Sequence, residues 1–199
     1  MINERKAFLI VDMQNDFCRG GALPVPGADE LIPVINCYTH LFHEYGYTIF
    51  ASRDWHQPTA RHFKRQGGAW PQHCIQNTYG AAFHPQLLLP EETCIISKGT
   101  ADNADGYSIF EGRDQYGGLF SEILVGRAIE TVFVCGVATD YCVKQSVLAL
   151  LFFGCSVCVL ADAIKGWSPE KETAALNTMK ELGAFIMAKE EVLHEIEVA

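Results

Sequence analysis

Six short, nearly unbroken apolar runs recur along this chain, and longer amphipathic stretches separate most of them. The runs are Ala7–Asp12, Thr48–Arg53, Cys94–Lys98, Thr131–Cys135, Ser156–Leu160 and Phe185–Ala188. A strand that is apolar without alternation has both of its faces covered, which is the habit of parallel sheets. The stretches Asp29–Tyr45, Gly118–Arg127, Tyr141–Phe153 and Pro169–Leu182 read as helices. The last carries Ser168 as its cap, Pro169 at its first position, Glu170 and Glu172 in its first turn, and Gly183 after its end. This rhythm predicts an α/β fold of three layers, a six-stranded parallel sheet with helices on both sides. A length of 199 residues suits one domain, residues 1–199, with a full core.

Charge narrows the partners. The formal net charge is −9, and the few Lys and Arg are scattered, so neither nucleic acid nor an anionic membrane is an expected partner. The opening residues are polar, and the apolar stretch Ala7–Val11 is too short for a signal-peptide core. A cytoplasmic protein is expected. The eight cysteines then read as reduced thiols. Cys155 and Cys158 form a C-x-x-C, but an offset of three along a strand sends the two side chains to opposite faces. They are expected to be core residues.

Three strand ends carry chemistry. Asp12 closes the first strand and Lys98 the third. Cys142 follows the fourth, where the next helix is expected to begin. Taken singly, Asp12 also reads as a turn cap, Lys98 as a surface lysine and Cys142 as a core thiol. Together they put a carboxylate, an ammonium and a thiol at one edge of one sheet. A cysteine nucleophile needs a base for its proton and positive charge, such as an ammonium or a helix start, to favour its thiolate. Asp12 could be the base and Lys98 the charge.

Two stretches break the rhythm, Asp54–Pro90 and Gly99–Gly117, and both follow strands. Loops at the carboxyl ends of strands build the crevice of open α/β sheets. The first holds Asp54, His56, His62 and His73, a set suited to a divalent metal with open water positions. His84 is a spare, placed at a turn, and His40 and His43 are expected on the surface of a helix.

The motifs Val11-Asp12-Met13-Gln14-Asn15-Asp16-Phe17, Ser52-Arg53-Asp54-Trp55-His56, Trp70-Pro71-Gln72-His73-Cys74, Lys98-Gly99-Thr100, Gly106-Tyr107-Ser108-Ile109-Phe110 and Cys135-Gly136-Val137-Ala138-Thr139-Asp140-Tyr141-Cys142-Val143 occur in one order across nearly the whole chain. In this the chain resembles the pyrazinamidase/nicotinamidase family of the isochorismatase-like cysteine hydrolases. The resemblance implies an isochorismatase-like, Rossmann-like hydrolase fold. It implies a Cys142–Asp12–Lys98 triad and a single divalent metal on Asp54, His56, His62 and His73, zinc first, with manganese or iron as alternatives. It implies an oxyanion hole from the N–H groups of Ala138 and Cys142, and a cis peptide between Val137 and Ala138. It also implies a substrate wall of Phe17, Trp70, Tyr107, Val137 and Tyr141. The activity implied is hydrolysis of the small molecule nicotinamide to nicotinic acid and ammonia, with pyrazinamide as a second substrate. A homo-oligomer is consistent with the assemblies of such relatives. The rival within the same group is an amidohydrolase of carbamoyl or ureido substrates, which keeps the triad but lacks the metal ligands.

Overall fold

The computed structural model describes residues 5–197. Its centre is a six-stranded, wholly parallel sheet of β1 (Lys6–Val11), β2 (Thr48–Asp54), β3 (Cys94–Lys98), β4 (Thr131–Val137), β5 (Ser156–Lys165) and β6 (Phe185–Met187), in the order β3-β2-β1-β4-β5-β6. The helices are α1 (Ala28–Glu44), α2 (Phe120–Gly126), α3 (Lys144–Phe153), α4 (Pro169–Glu181) and α5 (Lys189–Glu197).

Alternate strand residues feed two separate cores. Phe8, Ile10, Phe133 and Cys135 face α1 and α5, with Phe42, Val192 and Ile196. Ala7, Leu9, Val11, Val132 and Val134 face α2, α3 and α4, with Leu124, Val147 and Met179. Both faces are therefore dry, as the unbroken apolar runs require. Cys158 belongs to the first core and Cys155 to the second, and all eight cysteines are free. No described helix is long and apolar enough to cross a membrane.

Several boundaries differ from the sequence reading. β5 runs on to Lys165 rather than stopping at Leu160, because past a register shift Ile164 and Lys165 pair with Gly136 and Val137 of β4 and Ala163 and Ile164 are buried; the exposed Asp162 between accepts the Tyr38 hydroxyl of α1 at 3.0 Å. α3 starts at Lys144; the residues before it, Thr139–Val143, form a single π turn. Cys142 thus sits inside that wide turn and not at the first residues of an α-helix. π turns of this kind recur at functional sites. The short α5 was not anticipated. Ser168 does cap α4, accepting the Lys171 N–H at 3.3 Å.

The strand order places the topological switch between β1 and β4, where an open α/β sheet forms its crevice. The two strands approach closely there. Gly136 has φ +108°, and a Cβ on it would stand 2.1 Å from the Val11 carbonyl oxygen, so only glycine fits. The peptide Val137–Ala138 that follows is cis.

Candidate active site

Asp12 is the first residue past β1 and adopts a left-handed backbone, φ 51°, which Asp tolerates better than most side chains. Its carboxylate is fully buried. Oδ1 accepts the Ser52 hydroxyl at 2.7 Å, and Oδ2 lies 2.7 Å from the Lys98 ammonium. Lys98 ends β3 and is also fully buried. Its register partner across the β2–β3 ladder is Asp54, so the two side chains emerge side by side and pair through Asp54 Oδ1. The same ammonium donates to Cys142 Sγ at 3.4 Å. One oxygen each of Asp12 and Asp54 and the Cys142 sulfur lie within 4.8 Å of one another.

Burial and charge divide the roles. For Lys98, burial opposes the charge, but Asp12, Asp54 and Cys142 outweigh it and hold the group well above the usual lysine range. For Asp12, burial pushes upward, Lys98 pulls down and Asp54 pushes up again, leaving the carboxyl above its ordinary value. For Asp54, burial also pushes upward, but Lys98, His56 and His73 together hold it below the ordinary range. Burial is likewise the main influence on Cys142, opposed by Lys98 and reinforced by Asp12 and Asp54, and the thiol ends well above its usual value. This reverses the sequence expectation of a thiol lowered by Lys98 and a helix start: desolvation wins because the sulfur is buried and two carboxylates flank it. Burial thus favours the protonated thiol, beside a carboxyl whose proton affinity is itself raised. Such a pair can pass a proton as the sulfur attacks.

The histidines converge next to this trio. One ring nitrogen each of His56, His62 and His73 lies within 4.8 Å of the others. Asp54 Oδ2 is 3.5 Å from His56 Nε2 and 3.9 Å from His73 Nε2. Ligands bound at about 2.0–2.2 Å to one ion stand about 3–3.5 Å apart, so a small contraction would let all of them share a cation. His56 Nδ1 lies 3.1 Å from the Gly99 carbonyl and His73 Nδ1 2.9 Å from the Pro71 carbonyl. Those bonds leave Nε2 of each ring as the free lone pair. Both nitrogens of His62 are buried without a hydrogen-bond partner, which a ligand ion would relieve. Burial, with His56 and His73 adding to it, lowers His62 to about 4, and burial also lowers His73. Neutral imidazoles are the ligand form. The residues fit a divalent metal.

Local backbone makes this convergence work. A Cβ on Gly99 would fall 2.3 Å from the His56 ring. The Gln14 amide clamps Asp54 on both sides, accepting its N–H and donating to its carbonyl, each at 2.8 Å, and donates to the Ala81 carbonyl at 2.8 Å. Asp16 holds the His73 loop by accepting the Cys74 N–H at 2.7 Å.

A cleft partly open to solvent joins the two clusters; it is lined by Asp54, His62 and His73 on one side and Ala138 and Cys142 on another. Phe17, Trp70, Tyr107 and Tyr141 also line it, and Trp70 Nε1 donates to the Tyr107 hydroxyl at 2.8 Å. Val137 does not line it: the residue is fully buried in the α1-side core, because the chain turns toward the cleft only after it. Leu23, Asp105 and Trp167 complete the wall. The Trp167 ring stacks on Trp70 at 6.2 Å, and the Trp167 backbone N–H donates to Asp140 Oδ1 at 3.1 Å. As one of three tryptophans, at the carboxyl end of a strand, Trp167 carried a signal that the early stop assigned to β5 obscured. His40 and His43 are exposed and pair with Glu44 and Glu92. His84 lies apart, near Cys18 and Asp29.

A switch-point thiol beside a buried carboxylate and ammonium defines an α/β protein equipped for cysteine chemistry. The isochorismatase domain model matches residues 6–191, and the chain belongs to that family. It is 36% identical over 198 residues to a nicotinamidase of Escherichia coli, covering 90% of this chain and 92% of the relative. It is also 36% identical over 178 residues to a nicotinamidase/pyrazinamidase of Mycobacterium tuberculosis, covering 88% and 94%. A crystal structure of the pyrazinamidase of Pyrococcus horikoshii in complex with zinc superposes with a TM-score of 0.86 at 46% identity, covering 92% of this chain and 99% of that one.

Proposed function

We propose that the chain hydrolyses nicotinamide to nicotinic acid and ammonia through a thioester on Cys142. The observation that carries the reading is one cleft shared by the Cys142–Asp12–Lys98 trio and the Asp54–His56–His62–His73 cluster. The nicotinamidases and pyrazinamidases among its relatives supply the substrate class.

In the first half-reaction the Sγ–H proton passes to the Asp12 carboxylate as sulfur bonds to the amide carbon. The carbonyl electrons move onto oxygen, and the N–H groups of Ala138 and Cys142 receive the oxyanion. Collapse breaks the C–N bond, and the proton on Asp12 leaves with the amine as ammonia. In the second half, water gives a proton to Asp12 and bonds to the acyl carbon. The C–S bond then breaks, and the proton returns to sulfur as nicotinic acid departs. Lys98 stays cationic throughout and offsets the charge on Asp12 and on sulfur. Trp70, Tyr107, Tyr141 and Phe17 wall the ring and keep the carboxamide over sulfur. A divalent ion on Asp54, His56, His62 and His73, zinc first and manganese or iron as alternatives, would supply a Lewis-acid contact for the pyridine nitrogen.

Pyrazinamide offers the same ring nitrogen and carboxamide and is a second substrate on this reading. The same reading assigns the protein to pyridine nucleotide salvage in the cytoplasm, in keeping with its eight free cysteines. The test is ammonia release from nicotinamide by the wild type and Cys142→Ala, with a ureido compound as comparison. Activity retained in Cys142→Ala would overturn the thioester, and turnover of the ureido compound alone would overturn the substrate.

A further inference from the structure

The three imidazoles of the metal cluster are not equally anchored. His56 and His73 each rest Nδ1 against a backbone carbonyl. His62 has no such partner at either nitrogen, although both are buried. Its ring neighbours are His56 at 4.3 Å, Phe63 at 4.4 Å and His73 at 5.8 Å. None of them offers an acceptor when the histidines are ligands. The acceptor near Nδ1 is the carboxylate of Asp105, with Oδ1 at 3.9 Å. An imidazole binds an ion through one nitrogen only while the other carries the proton, and that N–H needs an acceptor.

Asp105 is brought there by a loop docked on the segment that bears His62. The Arg61 N–H donates to the Asp102 carbonyl at 2.8 Å, and the Thr59 hydroxyl donates to Asp102 Oδ1 at 2.7 Å. Gly106 closes the loop with φ +74°, where a Cβ would stand 2.7 Å from Gly99. The Asp105 side chain is 61% exposed, so a rotation of about 1 Å into hydrogen-bond range (~2.8 Å) costs no buried contact.

We propose that Asp105 is the positioning residue for His62: its carboxylate accepts the Nδ1–H and so commits Nε2 to the ion shared with His56, His73 and Asp54. The assignment rests on the metal reading above and gives the cleft wall a role that the strand-end residues do not reveal. In this role Asp105 acts through His62 and not on the ion or the reacting atoms.

The test is zinc affinity, measured by competition with a chelating indicator on stripped protein, for wild type, Asp105→Ala, Asp105→Asn, His62→Ala and the double variant Asp105→Ala/His62→Ala. Asp105→Ala is expected to bind zinc about 10–100-fold more weakly. Asp105→Asn, which keeps an acceptor oxygen, should recover part of that loss. In the double variant the Asp105 change should have little further effect beyond His62→Ala. A general charge effect would instead weaken binding equally with and without His62. Wild-type affinity in Asp105→Ala, or additive losses in the double variant, would overturn the proposal. Failure of the wild type to bind zinc at all would overturn the metal reading first, so the two failures are distinguishable.

Discussion

Replacing Lys98 by Met tests the buried charge arrangement most directly. The side chain keeps its approximate volume and loses its charge, leaving Asp12 and Asp54 buried with no cation between them. In the wild type that cation lies 2.7 Å from Asp12 Oδ2, pairs with Asp54 Oδ1 and donates to Cys142 at 3.4 Å. Removing one partner of a buried pair costs about 3–5 kcal/mol. At about 2–4 °C per kcal/mol for a chain of this size, the melting temperature falls by roughly 6–20 °C. The pH dependence has a definite sign. Burial already raises Asp12 above its unfolded value, and Lys98 is the strongest pull downward. Without Lys98 the folded pKa rises further. A carboxyl raised in the folded state binds its proton more tightly there, so stability falls as pH climbs from the unfolded to the folded pKa. The deficit of Lys98→Met is therefore smaller at about pH 5 than at about pH 8, where the unfolded chain has released the Asp12 proton that the buried carboxyl holds more tightly. Urea denaturation of both proteins at the two pH values measures this, and ammonia release should fall by about 10²–10⁴-fold as the base is lost to protonation. A deficit under about 1 kcal/mol at the higher pH, or one that grows toward acid, would refute the reasoning.

Gly99→Ala places a methyl 2.3 Å from the His56 ring at a backbone with φ +64°; zinc affinity, read by competitive titration, should drop about tenfold or more. Gln14→Leu removes the donors and acceptor that serve Asp54 N–H, Asp54 C=O and Ala81 C=O; at about 1–3 kcal/mol for each buried group left unpaired, urea unfolding should register a loss of at least about 3 kcal/mol. Trp167→Ala opens the stack on Trp70 without touching the trio; steady-state kinetics with nicotinamide should show KM raised about tenfold and kcat nearly unchanged.

Much of this architecture was legible in the linear chain. The unbroken apolar runs identified all six strands, because strands dry on both faces carry no alternation. Asp12, Lys98 and Cys142 stood out because each follows such a run, and chemistry in parallel sheets gathers at those ends. Other features were not legible. β5 looked finished at Leu160 because Asp162 interrupts the run, but that carboxylate is exposed and accepts the Tyr38 hydroxyl of α1, and the strand resumes its pairing with β4 beyond it. That misreading hid Trp167 at the strand's true end. Val137 was assigned to the cleft wall, whereas the turn into the cleft comes one residue later. Asp105 sits in a polar loop with no periodicity, and its place beside His62 depends on the docking of Asp102 against Thr59 and Arg61.

The sequence by itself determined the strands, most of the helices and the kinds of chemical group each strand end presents. Those follow from neighbours a few residues apart, through period and capping. Tertiary structure alone decided the ionisation of the groups and the closure of the cleft. Lys98 is held above its usual range and the Cys142 thiol is pushed up because segments near residues 12, 54, 98 and 142 meet where water is excluded. The cost of desolvation, and the charges that answer it, exist only after those distant segments have come together.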